Sequence, residues 1–237
     1  MASKMLTRSS AKPVVLTCSA LWHGPKRPRP LNLPNELDWR ELVPLAEIRP
    51  TQMAVGLRVV EFKRKKVQRF AENKRKLRRF LEKRPTPAVL GPDEDFYIID
   101  HHHLSLALWQ SEIEEVFVRV VCDLSDMPKL AFWQAMAAFG WLHAYDIRGR
   151  RVGPTRLPST IDRLQSDRYR DLAWSVRKAG GFNKTHVPYS EFAWANYFRK
   201  RIPATLVSRD FELAHERAML LTCCHDARWL PGNVNQA

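Results

Sequence analysis

The apolar positions along the chain change period several times, and each change marks an element. Residues 45–50 (LAEIRP) predict a short strand that stops at proline. From about Leu57 to Arg84 the apolar residues Val60, Val67, Phe70, Leu77 and Leu81 fall at helical spacings, so one long amphipathic helix with a narrow apolar stripe is expected. Pro85 and Pro87 break it. Residues 88–90 then predict a strand, 91–94 a turn, and the aromatic and β-branched Phe96, Tyr97, Ile98 and Ile99 a second strand, together a hairpin-like pair. From His103 the residues favour a helix, and Leu104, Leu106, Ala107 and Leu108 make it too apolar all round for a surface position. Residues 116–121 (VFVRVV) predict another strand, with Arg119 at an edge or turned outward. The order strand, helix, strand, strand, helix, strand describes a small α+β domain on a mixed sheet.

Helical patterns dominate the rest of the chain. Ser125 or Asp126 should cap a helix with Pro128 in its first turn and Trp133, Met136 and Trp141 among its large residues. Residues 146–158, with two glycines and two prolines, form a loop. Tyr169, Leu172, Ala173 and Val176 place a helix over 167–179 that stops at Gly180-Gly181. Residues 188–201, rich in aromatics, and 210–225 complete the set. At the other end, the leader carries six basic residues, no acid and five prolines up to Pro34. The chain therefore divides into a disordered basic arm (1–35), an α+β domain (36–124) and a helical part packed on it (125–237).

Charge sharpens the picture. The chain has a formal net charge of +14, and residues 1–84 hold 21 of its 39 basic and 7 of its 25 acidic residues, so the remainder is neutral. Within residues 63–84, 12 bases face only Glu72 and Glu82. Such a helix repels itself unless an anion approaches, which makes Lys74, Arg75, Lys76, Arg78 and Arg79 candidate nucleic-acid contacts; a solvated face is the plainer alternative. The basic arm reads equally as an organelle transit peptide or a flexible polyanion-binding arm, so the location is the cytoplasm or, if the arm is a transit peptide, an organelle. Cys18, Cys122, Cys223 and Cys224 show neither a CxxC site nor a disulfide framework, which suits a reducing compartment. The longest apolar stretch, 130–145, is interrupted by Gln134, Gly140 and His143 and falls short of the roughly 20 residues a membrane span needs.

The candidate chemistry sits at 95–108 (DFYIIDHHHLSLAL), where a strand runs directly into a buried helix with Asp100 near its N-cap. Free backbone N–H groups and the positive end of the helix dipole make such a junction an anion seat, and histidines there can donate hydrogen bonds or protons near neutral pH. A purely structural cap is the alternative. Three consecutive histidines point about 100° apart and do not converge on one metal.

These residues carry a family resemblance. The segment 100–108 (DHHHLSLAL) resembles the DGHHRxxAL signature of the ParB/sulfiredoxin-like superfamily, and 48–63 (IRPTQMAVGLRVVEFK) resembles its first box. Residues 157–182 (LPSTIDRLQSDRYRDLAWSVRKAGGF), followed by Lys184, Tyr189, Glu191, Phe192, Trp194 and FRKRI, resemble the putative ParB-like nuclease family within it; the likeness spans about 45–202. It implies a ParB/sulfiredoxin-like mixed-sheet domain with an all-helical C-terminal extension. It also implies a site with Asp100, His102 and His103 in catalytic roles and Thr51, Gln52, Gly56, Arg58, Lys63 and His101 against nucleotide phosphate. Two departures stand out: the motif's glycine is His101 here and its arginine is Leu104. The sulfiredoxin cysteine is missing from the corresponding loop, and no ParB-type helix-turn-helix is visible. Three functions arise from the resemblance and the charge. The first is a nuclease or nucleotide-handling hydrolase, the second a nucleotide-dependent small-molecule kinase of the free-serine-kinase type, and the third a non-catalytic nucleic-acid-binding protein. A divalent metal such as Mg2+ and a nucleotide are the implied cofactors. Arg170, Arg177, Lys184 and Glu191, set among aromatics, form either an internal ion network or the floor of a pocket.

Overall fold

The computed structural model describes residues 40–234. The leader, expected to form the basic arm, lies outside the described residues. Among the described residues, seven strands and eight α-helices are arranged in the order β1 (Arg40–Pro44), β2 (Ile48–Pro50), β3 (Ala54–Val55), α1 (Leu57–Ala71), α2 (Lys74–Glu82), β4 (Thr86–Leu90), β5 (Phe96–Ile98), α3 (His102–Trp109), β6 (Glu115–Asp123), α4 (Lys129–Ala138), β7 (Gln165–Ser166), α5 (Arg168–Lys178), α6 (Ser190–Arg199), α7 (Ala204–Arg209) and α8 (Phe211–Thr222). Five strands form one mixed sheet in the order β1-β6-β4-β5-β2, and β3 pairs with β7 in a second, two-stranded one. The β4–β5 pair is antiparallel, β4–β6 and β5–β2 are parallel, and β1 closes one edge antiparallel to β6.

Strand alternation covers both faces of this sheet. Ala88, Leu90, Phe96, Ile98, Val116, Val118 and Val120 point to a core shared with α1, α2 and α3. Val89, Tyr97 and Cys122 point the other way, onto Phe132 and Met136 of α4. A separate core holds the C-terminal helices: Leu172, Trp194, Phe198 and Ala214 are fully buried there. The architecture is thus α+β with a helical C-terminal extension.

Several expected boundaries move, each for a local reason. The long basic helix is two helices, because Asn73 leaves the helical region (φ −134°) and its side chain caps α2 by accepting the Lys76 N–H at 3.0 Å. β1 was not foreseen; its five residues carry two charges and end in proline, the composition of a guarded edge strand. The strand expected from residue 45 starts at Ile48, since Leu45–Glu47 form a turn closed by Glu47 N–H to the Pro44 carbonyl. Neither Ser125 nor Asp126 caps α4. Asp123 instead accepts both the N–H and the hydroxyl of Ser125, and the helix begins after Pro128. α7 was also unforeseen. Among the described residues no helix is long and apolar enough to cross a membrane.

Candidate functional site

The carboxyl ends of the parallel strands β2 and β5 lie side by side, so the segment after β2 (51–56) meets the turn after β5 (99–101). Such strand ends, where the chain departs in two directions, are where open sheets leave room for a ligand. Thr51 stitches the two segments together. Its hydroxyl donates to the Ile98 carbonyl (2.8 Å) and its N–H to Nε2 of His102 (3.1 Å). Gly56 N–H donates to Nε2 of His103 (3.2 Å), and the amide of Gln52 donates to Ala54 O (3.1 Å). Two helices, α1 and α3, therefore start within one small region.

Their N-termini are treated differently. The carboxylate of Asp171 on α5 reaches across and accepts the N–H groups of Arg58 (2.8 Å) and Val59 (3.2 Å), so α1 already holds an internal anion. Gly56 is required for that approach: a Cβ there would stand 2.3 Å from the Asp171 Oδ1. Helix α3 has no side-chain cap. Its N-cap is His101 rather than Asp100, and His101 takes the left-handed conformation (φ 66°), which explains why the family signature has glycine here. The Asp100 carboxylate accepts the adjoining N–H of His101 at 2.6 Å and is otherwise exposed.

The histidines are not the donors that their position suggested. Nε2 of His102 and Nε2 of His103 both accept backbone hydrogen bonds. Burial holds His102 down to about 3 and His103 well below the usual imidazole range, so both stay neutral at physiological pH. The expectation that they change charge near neutrality gives way; they pin the 51–56 segment to the start of α3. His101 is different, because its Nδ1 is buried and makes no hydrogen bond.

The cations around the turn come from α1 and α5. Lys63 is half-buried with its amine near Asp100, and burial lowers its pKa against the opposing pull of that carboxylate. Arg170 is 5% exposed, lies 3.6 Å over the Phe192 ring and 3.6 Å from Glu191, and leaves its Nε and one terminal N–H group without a hydrogen-bond partner. The Phe192 ring that it covers packs on His143 (3.6 Å), whose backbone N–H donates to the carbonyl of Thr51, the residue bonded to His102. Arg170 is thus linked by contacts to the start of α3, and its charge opposes protonation of His102 and His103. Glu191 also grips Arg177 (2.6 Å), so Arg170, Arg177 and Glu191 form one network; Lys184 is exposed and stands outside it. Arg58, expected at the phosphate, instead lies over Phe211 of α8 at 3.7 Å.

Three contributors are not among the site residues expected from the sequence, although Tyr189 is part of the family pattern. Asp171 interrupts a helix whose neighbours Leu172 and Ala173 are apolar, which is the signal for a buried acid with a partner. His143 is buried, packed on Phe192 (3.6 Å between rings) and lowered to about 3 by burial. Tyr189, the left-handed N-cap of α6, has its hydroxyl pKa raised by burial and by the nearby Asp100 carboxylate. All five α2 candidates, Lys74, Arg75, Lys76, Arg78 and Arg79, are exposed; Arg78 pairs with Glu82 at 2.9 Å. Among the described residues no three metal-ligating side chains come together; Asp100 is the carboxylate at the turn that could share an Mg2+ with a phosphate and water.

Comparison with known proteins agrees with this geometry. Residues 42–200 match the family model described as putative ParB-like nuclease. The crystal structure of protein Atu1540 from Agrobacterium tumefaciens is similar at a TM-score of 0.73 and 36% identity, over 82% of this chain and 97% of that one. No curated protein matches. With two thirds of its sequence inside the family model and the sheet, the strand-to-helix turn and the helical extension all in place, the chain belongs to the putative ParB-like nuclease family of the ParB/sulfiredoxin-like superfamily.

Proposed function

We propose that the protein handles a phosphate-bearing ligand, a nucleotide or a nucleic-acid end, seated over the start of α3. The observation that carries this reading is the buried Arg170 with two idle hydrogen-bonding positions beside an uncapped helix start. Leaving buried donors unpaired costs roughly 1–3 kcal/mol, more for a charged group, and an anionic oxygen would recover it. Lys63 supplies a second cation, its lowered pKa reflecting desolvation that a bound anion would reverse. In this reading His102 and His103 are positioning residues. Asp100 is the exposed carboxylate available as a proton acceptor for an attacking water or hydroxyl, which fits a hydrolase or nuclease. A kinase would use the same seat. Tyr189 and His101, both held neutral, can donate from their polar atoms without adding charge.

The test is a panel of mononucleotides, inorganic phosphate and oligonucleotides, scored by thermal shift and by turnover with and without divalent metal. Stabilisation should appear with the parent and be lost in Lys63→Gln and Arg170→Gln, provided the latter still unfolds cooperatively. Parent-like stabilisation of both variants by the same ligand would place the phosphate elsewhere.

A further inference from the structure

Between α4 and β7 the chain carries four arginines within nine residues: Arg148, Arg150, Arg151 and Arg156. Asp146 shapes the segment by accepting the N–H groups of Arg148 and Arg150, each at 2.9 Å, and pairing with the Arg150 guanidinium at 2.8 Å. Tyr145 and Arg151 face each other as an antiparallel bridge, so residues 146–150 form a closed tip. All four arginines are exposed and, with Met53 and Gln165, line a groove of about 530 Å3. Among the described residues Asp146 is the one acid in that lining, and it pairs with the Arg150 guanidinium. Arg148, Arg151 and Arg156 form no ion pair with the described residues. So concentrated a charge repels itself, a cost that a merely structural loop avoids by mixing signs.

Beside the groove stands an aromatic platform. The ring of Tyr145 stacks on His143 (4.7 Å, 29°) and remains 37% exposed. The groove is also tied to the turn at Asp100–His102. Thr51 donates its N–H to His102 on one side, and its carbonyl accepts the His143 N–H (2.9 Å) on the other. One short segment therefore separates the arginine groove from the start of α3.

We propose that residues 145–156 form a contact surface for a single-stranded polynucleotide, with phosphates along Arg148, Arg151 and Arg156 and a base on Tyr145. Arginines beside an exposed ring suit unstacked bases with a flexible backbone, whereas a duplex hides its base faces. This goes beyond the reading of the α3 start, which a mononucleotide alone would satisfy.

The test uses the full chain, a labelled oligothymidylate of about 15 nucleotides, a duplex of equal length, and anisotropy titrations across a range of salt. The triple variant R148Q/R151Q/R156Q should lower the slope of log affinity against log salt by about 2, since each phosphate contact on a single strand contributes about 0.7. Tyr145→Ala should weaken binding by about fivefold to a hundredfold without changing that slope. The triple variant should melt like the parent, because its replaced side chains are exposed. Tyr145→Ala gives up the ring stacked on His143, so its binding is read at a temperature where its own melt shows it folded, and both should take a mononucleotide as the parent does. Unchanged oligomer binding in the triple variant, preference for duplex, or equal competition by polyglutamate would overturn the proposal. Oligomer binding that falls in the triple variant but is unchanged in Lys63→Gln and Arg170→Gln, with no mononucleotide bound by the parent, would overturn the α3 reading alone, and a parent that binds mononucleotide but no oligomer would overturn this one alone.

Discussion

Gly56→Ala isolates one of the contacts that tie the helical extension to the sheet domain. The backbone at Gly56 (φ −80°, ψ 122°) suits any residue, so by itself alanine would stabilise by about 0.4–1 kcal/mol through the unfolded chain. Against that, the new Cβ would stand 2.3 Å from Asp171 Oδ1, 2.9 Å from its backbone nitrogen and 3.0 Å from Cγ. The carboxylate must retreat from the Arg58 and Val59 N–H groups, losing a cap of about 1 kcal/mol, and the overpacking adds about 1–3 kcal/mol. The net expectation is a loss of about 2 kcal/mol, or about 4–8 °C in Tm for a chain of this size. Urea unfolding gives the free energy directly. In an Asp171→Ala background the side-chain clash is gone while the backbone one stays, so the same substitution should cost about 1 kcal/mol less. A neutral Gly56→Ala, or costs that simply add, would refute the contact. Intact stability with lost ligand binding would return Gly56 to the phosphate role expected from the sequence.

The other expectations are briefer. His102→Ala should cost about 2–4 kcal/mol, because it removes the acceptor of a buried N–H and leaves a cavity; a urea midpoint within error of the parent would argue against the pinning role. Stability should fall as pH drops from 6.5 towards 3. Folded His102 and His143 refuse protons until about 3 while the unfolded imidazoles accept them near 6.5. Asp171 opposes this, since burial raises its folded pKa to about 6 from 3.8 and its contribution falls as pH rises through that window. Asp171→Asn should therefore steepen the acid-side loss in urea midpoints measured against pH. Glu191→Gln should cost about 2–3 kcal/mol by stranding Arg170 and Arg177, the partial exposure of the glutamate keeping it below a fully buried pair; unchanged melting would dissolve the network. Glutamine at Lys74, Arg75, Lys76, Arg78 and Arg79 should leave stability within about 0.5 kcal/mol while flattening the salt dependence of any duplex binding by about 0.9 per lost contact.

Elements with a strong period were legible in the sequence: β5, β6, α5 and the strand-to-helix turn at Asp100 all stand where alternation and helical spacing put them. Elements decided by one polar side chain were not. Asn73 divides a helix whose apolar stripe runs on unbroken, and Asp123 claims Ser125 before it can cap α4. The turn itself was legible as a place but not as chemistry. Whether a histidine donates or accepts depends on which N–H faces it, and the groups facing His102 and His103 lie 51 and 47 residues away in sequence. The same distance hid Asp171, whose partners on α1 precede it by more than 110 residues.

Arg170 and Asp171 are consecutive on α5, yet one looks to the start of α3 and the other clamps the start of α1. A single helical turn thus serves two helices of the other half of the molecule. A motion that draws α5 away uncaps α1 and withdraws the cation from α3 in the same step, so peeling off the extension costs the sheet half part of its own stability. Cutting the chain before Asp167 is expected to leave the sheet half without the cap of α1. It would leave a glycine shaped for a vanished carboxylate and a helix start facing water, so the two halves are expected to unfold together.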